Sequence, residues 1–310
     1  GGECNLVAGV SSNISGGRKN SNSGYIATIS GGLCNIISSG GAYATISGGY
    51  CNIATTVFGT ISGGQCNTSS SYFGTISGGF GNTVSGNYGT ISGGQSNTAS
   101  GNWSTISGGQ GNVVNGEHSV VSGLNNTISG AYYSGIGSGS GNVIGANTGS
   151  FIGGGNLNTV SAYSECSFIG GGQSNLLSSG RYGVIGGGLS NCITSSGSGY
   201  YVCNGTIGGG STNQISNYVT SNFGATIAGG ISNCVLGSYA GILSGTNNRA
   251  EGISSIIVGG IANKTCSQYF GGGFSQFIGG GLCNCAKFNY SIVVGGNCNS
   301  SSGCNSSIVN

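Results

Sequence analysis

The chain has 310 residues, of which 71 are Gly, none is Pro or Met, and only 3% are charged, with a net charge of +2. Its six Lys and Arg are scattered, so the clustered basic footprint that nucleic-acid binding needs is missing, and no apolar run approaches the roughly 18 residues of a membrane span. Apolar residues still make up 36% of the chain and recur at fixed intervals, which separates it from a disordered Gly-rich linker.

The intervals define a repeat. Reading from the N-terminus, an aliphatic residue is followed six or so positions later by Asn, usually with Gly-Gly between. The Asn column runs Asn5, Asn20, Asn35, Asn52, Asn67, Asn82, Asn97, Asn112 and onward to Asn299. Nine of its eighteen gaps are 15 residues, a period that marks a solenoid of stacked supersecondary units. Each coil reads as two three-residue strands and two turns. In Thr90-Ile91-Ser92 the two-residue period sends Ile to one face and both hydroxyls to the other. Gly-Gly supplies the first turn, the column Asn follows, and a strand such as Thr83-Val84-Ser85 carries the next inward residue. A turn such as Gly86 to Gly89 closes the coil.

Two inward columns follow. The first is nearly pure Ile, from Ile14 through Ile61, Ile76, Ile91 and Ile106 to Ile278 and Val293. The second is mixed: Val84, Ala99, Val114, Ile128, Val143, Val160, Leu177, Ile193 and Val235. The predicted fold is all-β, a parallel β-solenoid of about nineteen coils over residues 1–310 as one repeat domain, with longer inserted loops near 192–204, 216–224 and 265–276. No window carries a 3.6-residue apolar stripe, and Gly is not at every third position, so helix and collagen are both excluded.

The pattern [ST]-[IV]-[SG]-G-G-x-x-N-x-x-S-G, as in Thr90 to Gly101, resembles the head repeats of trimeric autotransporter adhesins and related surface or tail fibres. The resemblance covers nearly the whole chain. It implies a left-handed β-roll, trimerisation and a surface-adhesion role.

Chemistry-bearing residues are few. There is no Asp, one His and four Glu, so the chain is read as non-enzymatic and without cofactor or metal. The only juxtaposed titratable pair is Glu117-His118. His118 sits six residues after Asn112, an offset that also gives Phe58, Phe73, Tyr88, Trp103, Tyr239, Tyr269 and Tyr290, so it is one member of an aromatic column. Gly runs such as 153–155 and 186–188 lack the Lys-Ser/Thr and helix that a phosphate loop needs. The Asn column, represented by Asn67, Asn82, Asn97 and Asn112, suits a structural ladder in which amides bond from coil to coil. Calcium-binding solenoids rely on Asp, which is absent.

Thirteen Cys point to an oxidising compartment, and the odd number leaves at least one thiol unpaired. Cys34, Cys51 and Cys66 lie on consecutive coils one residue before a column Asn, as do Cys283 and Cys298. A coil spacing of about 4.8 Å falls inside the Cα separation a disulfide accepts, so these are candidate disulfide positions. Cys192 and Cys203 bracket the longest insertion and form another candidate pair. Nine Asn-x-Ser/Thr sequons, among them Asn13, Asn67, Asn125 and Asn263, are about what chance gives in so Asn- and Ser-rich a chain and are no evidence of glycosylation, though exposed ones would be usable for surface glycans in a secretory pathway.

Two functional classes remain. One is an extracellular fibre or adhesin shaft at a cell or virion surface, self-associating through the strip Phe73, Tyr88, Trp103 and His118. The other is ice or carbohydrate binding, using those rings or the hydroxyl files Thr60/Ser62, Thr75/Ser77, Thr90/Ser92 and Thr105/Ser107. After Ile136 the Thr file gives way to Gly and Phe, which favours the fibre.

Overall fold

A computed structural model describes residues 1–195, 200–217, 221–266 and 273–309. It divides into two compact units, Gly1–Gly149 and Ser150–Asn310. Each is a parallel β-solenoid, about nineteen coils in all, and no helix occurs among the described residues.

In the first unit, one coil shows the construction. After Asn82, the strand Thr83–Val84 lies on the first face. The chain turns a corner, and Thr90–Ile91 forms the second face. Each strand pairs in parallel and in register with its equivalents one coil away: Thr83 with Thr68 and Thr98, Thr90 with Thr75 and Thr105. A third face, not anticipated from the sequence, follows the Gly pair. There a single residue per coil makes a parallel bridge, running Gln65, Phe80, Gln95, Gln110. The coil therefore has three sides rather than two. A one-residue side flanked by Gly and Asn has no alternation from which it could have been read.

The core follows from strand alternation. Ile29, Ile46, Ile61, Ile76, Ile91 and Ile106 on the second face are wholly buried, as are Val84, Ala99, Val114 and Ile128 on the first. Val121 and Ile242 also belong to the second-face column. One expected core residue is wrong: Val143 is only half-buried, and its neighbour Ile144 points inward. Ile144 pairs with the inward Ile128, so register decides between two adjacent aliphatics. A third inward column precedes the second-face strands and holds small residues such as Ala44, Gly59, Gly74, Gly89 and Ser104, with buried Gln276 as an exception.

In the second unit the same coil recurs with Ile152, Ile169, Ile185, Ile207 and Ile227 buried in the second-face column. The expected insertions near 192–204, 216–224 and 265–276 fall partly outside the described residues. Their described parts share one location. From second-face strand to the next column Asn the chain takes seven residues in these coils, as in Thr206 to Asn213, Thr226 to Asn233 and Phe277 to Asn284. From first-face to second-face strand it takes seven in a regular coil (Cys234 to Gly241), but fourteen from Cys192 to Thr206, twelve from Gln214 to Thr226 and thirteen from Lys264 to Phe277. All the extra length enters at the corner between the first two faces. Within two of these excursions Val202–Cys203 and Asn222–Phe223 pair with each other in parallel.

Candidate functional site

Two ladders run through the first unit, one buried and polar, the other exposed and aromatic. In the buried one, the backbone amide of Asn82 donates to Oδ1 of Asn67 at 3.0 Å, that of Asn97 to Asn82 at 3.0 Å, and that of Asn112 to Asn97 at 3.0 Å. The Nδ2 of Asn97 donates to the carbonyls of Gly93 (3.1 Å) and Gly109 (2.9 Å), one in its own coil and one in the next. All four of Asn67, Asn82, Asn97 and Asn112 are fully buried. These amides satisfy the backbone where Gly-Gly turns the chain inward. They are saturated by it, so they offer nothing to a ligand. Asn67 and Asn263 are rungs, buried and hydrogen-bonded, which removes them as glycan acceptors.

The residue before each rung sits in the left-handed region: Cys34 (φ 57°), Cys51 (53°), Cys66 (55°), Ser96 (54°), Cys283 (55°) and Cys298 (57°). The expected disulfides do not form, and all thirteen thiols are free. Cys34, Cys51 and Cys66 follow the bridge residues Leu33, Tyr50 and Gln65 in register. Side chains stacked this way project in parallel, so their Cβ atoms stay a full coil spacing apart, about 4.8 Å. A disulfide needs Cβ atoms about 3.5–4.5 Å apart and turned toward one another. Cys192 and Cys203 are likewise unpaired. Cys192 pairs along the first face with Gln214, Cys203 with Phe223, and burial pushes the Cys192 thiol up to about 11. Unpaired columns withdraw the argument from Cys number to an oxidising compartment.

The aromatic ladder is longer than the fixed offset from Asn suggests. Tyr43, Phe58, Phe73, Tyr88, Trp103, His118 and Tyr133 stack in unbroken succession, ring centroids 5.0, 4.7, 4.9, 5.3, 4.8 and 5.0 Å apart and planes within 11° of parallel. Tyr25 meets Tyr43 edge-on at 5.7 Å. Tyr43 and Tyr133 escape a count forward from Asn because their coils are longer by one or two residues. A count backward finds every member two residues before a second-face strand. That position is the corner's left-handed residue, with φ between 51° for Trp103 and 60° for Phe58. An L-residue there costs about 1 kcal/mol, which Asn or Gly would reduce. Stacking between consecutive rings, worth about 0.5–1.5 kcal/mol a pair, offsets it.

The rings remain open, from 41% exposed at Phe58 to 66% at Tyr133. His118 is held between Trp103 and Tyr133, and the carboxylate of adjacent Glu117 accepts a hydrogen bond from Asn102 Nδ2 at 3.2 Å. In the second unit Tyr239 (φ 58°) and Tyr290 (φ 56°) hold the equivalent corner, whereas Tyr269 lies outside the described residues.

The hydroxyl file lies on the second face. Thr28, Thr45, Thr60, Thr75, Thr90 and Thr105 pair in register, half-buried, with Ser62, Ser77, Ser92 and Ser107 exposed beside them. In the second unit Phe151 and Phe168 take the Thr positions, but Thr206 and Thr226 return to them and pair in register, so the file is interrupted after Ile136 and not lost as expected. Compared with known proteins, the chain matches no family model and no curated relative.

Proposed function

We propose that the chain is a non-enzymatic structural fibre segment or adhesin shaft, displayed outside the cell or on a particle surface, and that it self-associates along the ring ladder. The observation that carries this reading is seven consecutive stacked rings left exposed at strained corner positions. A soluble monomer rarely tolerates a contiguous apolar strip of more than a few hundred Å². The rings contribute nothing inward, where Ile and Asn already fill the coil, so their use is external. A second copy laid against the strip would cover it, and the head-repeat resemblance favours three chains. The test is sedimentation of the wild-type chain against Tyr88→Ser/Trp103→Ser at micromolar concentration. The double variant is expected to lose association while far-UV circular dichroism is unchanged. A wild-type chain that sediments as a clean monomer would overturn the reading, and soluble oligosaccharide quenching Trp103 fluorescence would identify a sugar as the occupant instead.

A second reading rests on the Thr file, whose six in-register hydroxyls repeat at coil spacing in the manner an ice lattice could match. It is tested by thermal hysteresis of the purified chain, and by its loss in Thr75→Val/Thr90→Val.

A further inference from the structure

The first face of the second unit carries an unusual concentration of charge. Arg249 and Lys264 pair in register, Lys264 pairs in register with Cys285, and Ser300 follows on the next coil. Two residues further along the same outward-facing rows lie Glu251, Cys266 and Lys287. Four of the ten charged side chains in the whole sequence thus gather in three coils, three of them cations. Lys264 Nζ is 3.1 Å from Glu251 Oε1, and Arg249 also engages that carboxylate. In the middle, Cys266 Sγ and Cys285 Sγ are 3.5 Å apart.

We propose that Cys285 is a reactive thiolate that undergoes thiol–disulfide exchange with an anionic low-molecular-weight disulfide. Its Sγ attacks one sulfur of the disulfide. A new S–S bond forms to Cys285, the original S–S bond breaks, and the departing thiolate takes a proton from solvent. The small disulfide supplies the oxidising equivalents, and the product is a mixed disulfide on the fibre surface. Lys264 and Lys287 flank the sulfur and attract the anionic reagent, while Cys266, in S–H···S contact with Cys285, is a positioning residue that we assign as the donor of that contact. The electrostatics agree. The hydrogen bond from Cys266 brings the Cys285 thiol down to about 7, burial opposes this, and Lys287 and Lys264 add to the lowering. That same bond, together with burial, raises the Cys266 thiol, which keeps its proton. Among the described residues no other strand of this face adds a charge beside the cluster, and the coil beyond offers Ser300 and Ser301.

An internal Cys266–Cys285 disulfide is disfavoured by the register. Cys266 lies one pleat beyond Lys264, the partner of Cys285, so the two Cα atoms are diagonal neighbours about 8 Å apart. Disulfides accept about 4.4–6.8 Å.

The test is peptide-resolved labelling of the full chain with 5,5′-dithiobis(2-nitrobenzoate), an anionic disulfide, and with cystamine, a cationic one. At pH 7 Cys285, brought down to about 7 and so about half thiolate, is expected to react about tenfold faster than exposed Cys298. Cys266→Ala should remove most of that advantage, Cys266→Ser should keep it, and Lys264→Gln should reduce the preference for the anionic reagent. Equal rates at Cys285 and Cys298, or a Cys266→Ala chain that labels like wild type, would overturn the proposal. So would an internal 266–285 cross-link as the main product.

Discussion

The backbone amide of Asn97 donates to Oδ1 of Asn82, 3.0 Å away in the preceding coil, while its own Nδ2 reaches the Gly109 carbonyl in the following one at 2.9 Å. One side chain thus joins three successive coils. Replacing it with Ala leaves the buried amide of Asn112 without its acceptor and the part-buried Gly93 carbonyl without its donor, while the Gly109 carbonyl keeps the Gln95 amide. At about 1–3 kcal/mol for a buried group left unpaired, Asn97→Ala should cost about 2 kcal/mol. Gln95→Ala, on the exposed third face, should stay within about 0.5 kcal/mol. Urea unfolding of both variants decides it, and equal midpoints would mean the ladder does not stabilise the coil.

Neighbouring glycines should differ sharply. Gly172 has φ +88°, and a Cβ there would lie 2.2 Å from the Gly188 carbonyl oxygen. Gly171 has open space on its Cβ side and ordinary backbone angles. Gly172→Ala should therefore fail to fold or lose several kcal/mol, since the clash is with backbone that cannot rotate away. Gly171→Ala should be neutral or stabilise by about 0.4–1 kcal/mol through the unfolded chain. Thermal melts of the pair provide the measurement.

At Trp103 two opposing effects can be separated. Trp103→Ala keeps the strained left-handed corner and loses the stacks on Tyr88 and His118. Trp103→Gly loses the same stacks but relieves the backbone. The Gly variant should therefore be the more stable of the two, by about 1 kcal/mol. Unfolding midpoints that reverse this order would refute the strain argument.

Glu251 sets a pH dependence for the second unit. Its carboxylate is only 8% exposed, and burial alone would raise its pKa, yet hydrogen bonds from Arg249 and Lys264 outweigh burial and hold it below the ordinary value. A carboxylate whose pKa is lower folded than unfolded stabilises fully above its unfolded pKa, about 4.3. That contribution disappears as pH falls through the lower folded value. The urea midpoint should drop between pH 6 and pH 3, and Glu251→Gln should flatten the drop. An identical pH profile in the variant would exclude this ion-pair cluster as its source.

Much of the fold is legible because the repeat leaves few alternatives. Once Asn82, Asn97 and Asn112 fix the phase, Ile91 and Ile106 must face inward, and the parallel register follows. What escaped notice lay where phase is carried by something other than Asn. Tyr43 and Tyr133 are placed by the strand after them, so a count forward from Asn passes over them. Val143 and Ile144 are both aliphatic, and only pairing with Ile128 shows which one turns in. The stacked Cys34, Cys51 and Cys66 satisfy a distance rule for Cα atoms but not the direction of Cβ, which a one-dimensional pattern does not hold. The charge cluster around Cys285 was hidden for a related reason: Arg249, Lys264 and Cys285 are far apart in sequence and adjacent only across coils.

Confining every length change in the second unit's long coils to the corner between the first and second faces has a consequence for how such a chain can grow. The seven residues from second-face strand to column Asn behave as an invariant module, while the opposite corner accepts five to seven extra residues without disturbing the register of Ile185, Ile207 and Ile227. New sequence can thus be acquired at that corner, coil by coil, and each addition emerges on the same edge as its neighbours, as the pairing of Val202–Cys203 with Asn222–Phe223 shows. A lineage of such proteins could diversify its outward epitopes there while inheriting an unchanged scaffold, and an engineer could graft foreign peptides at the same corner to display them at regular intervals.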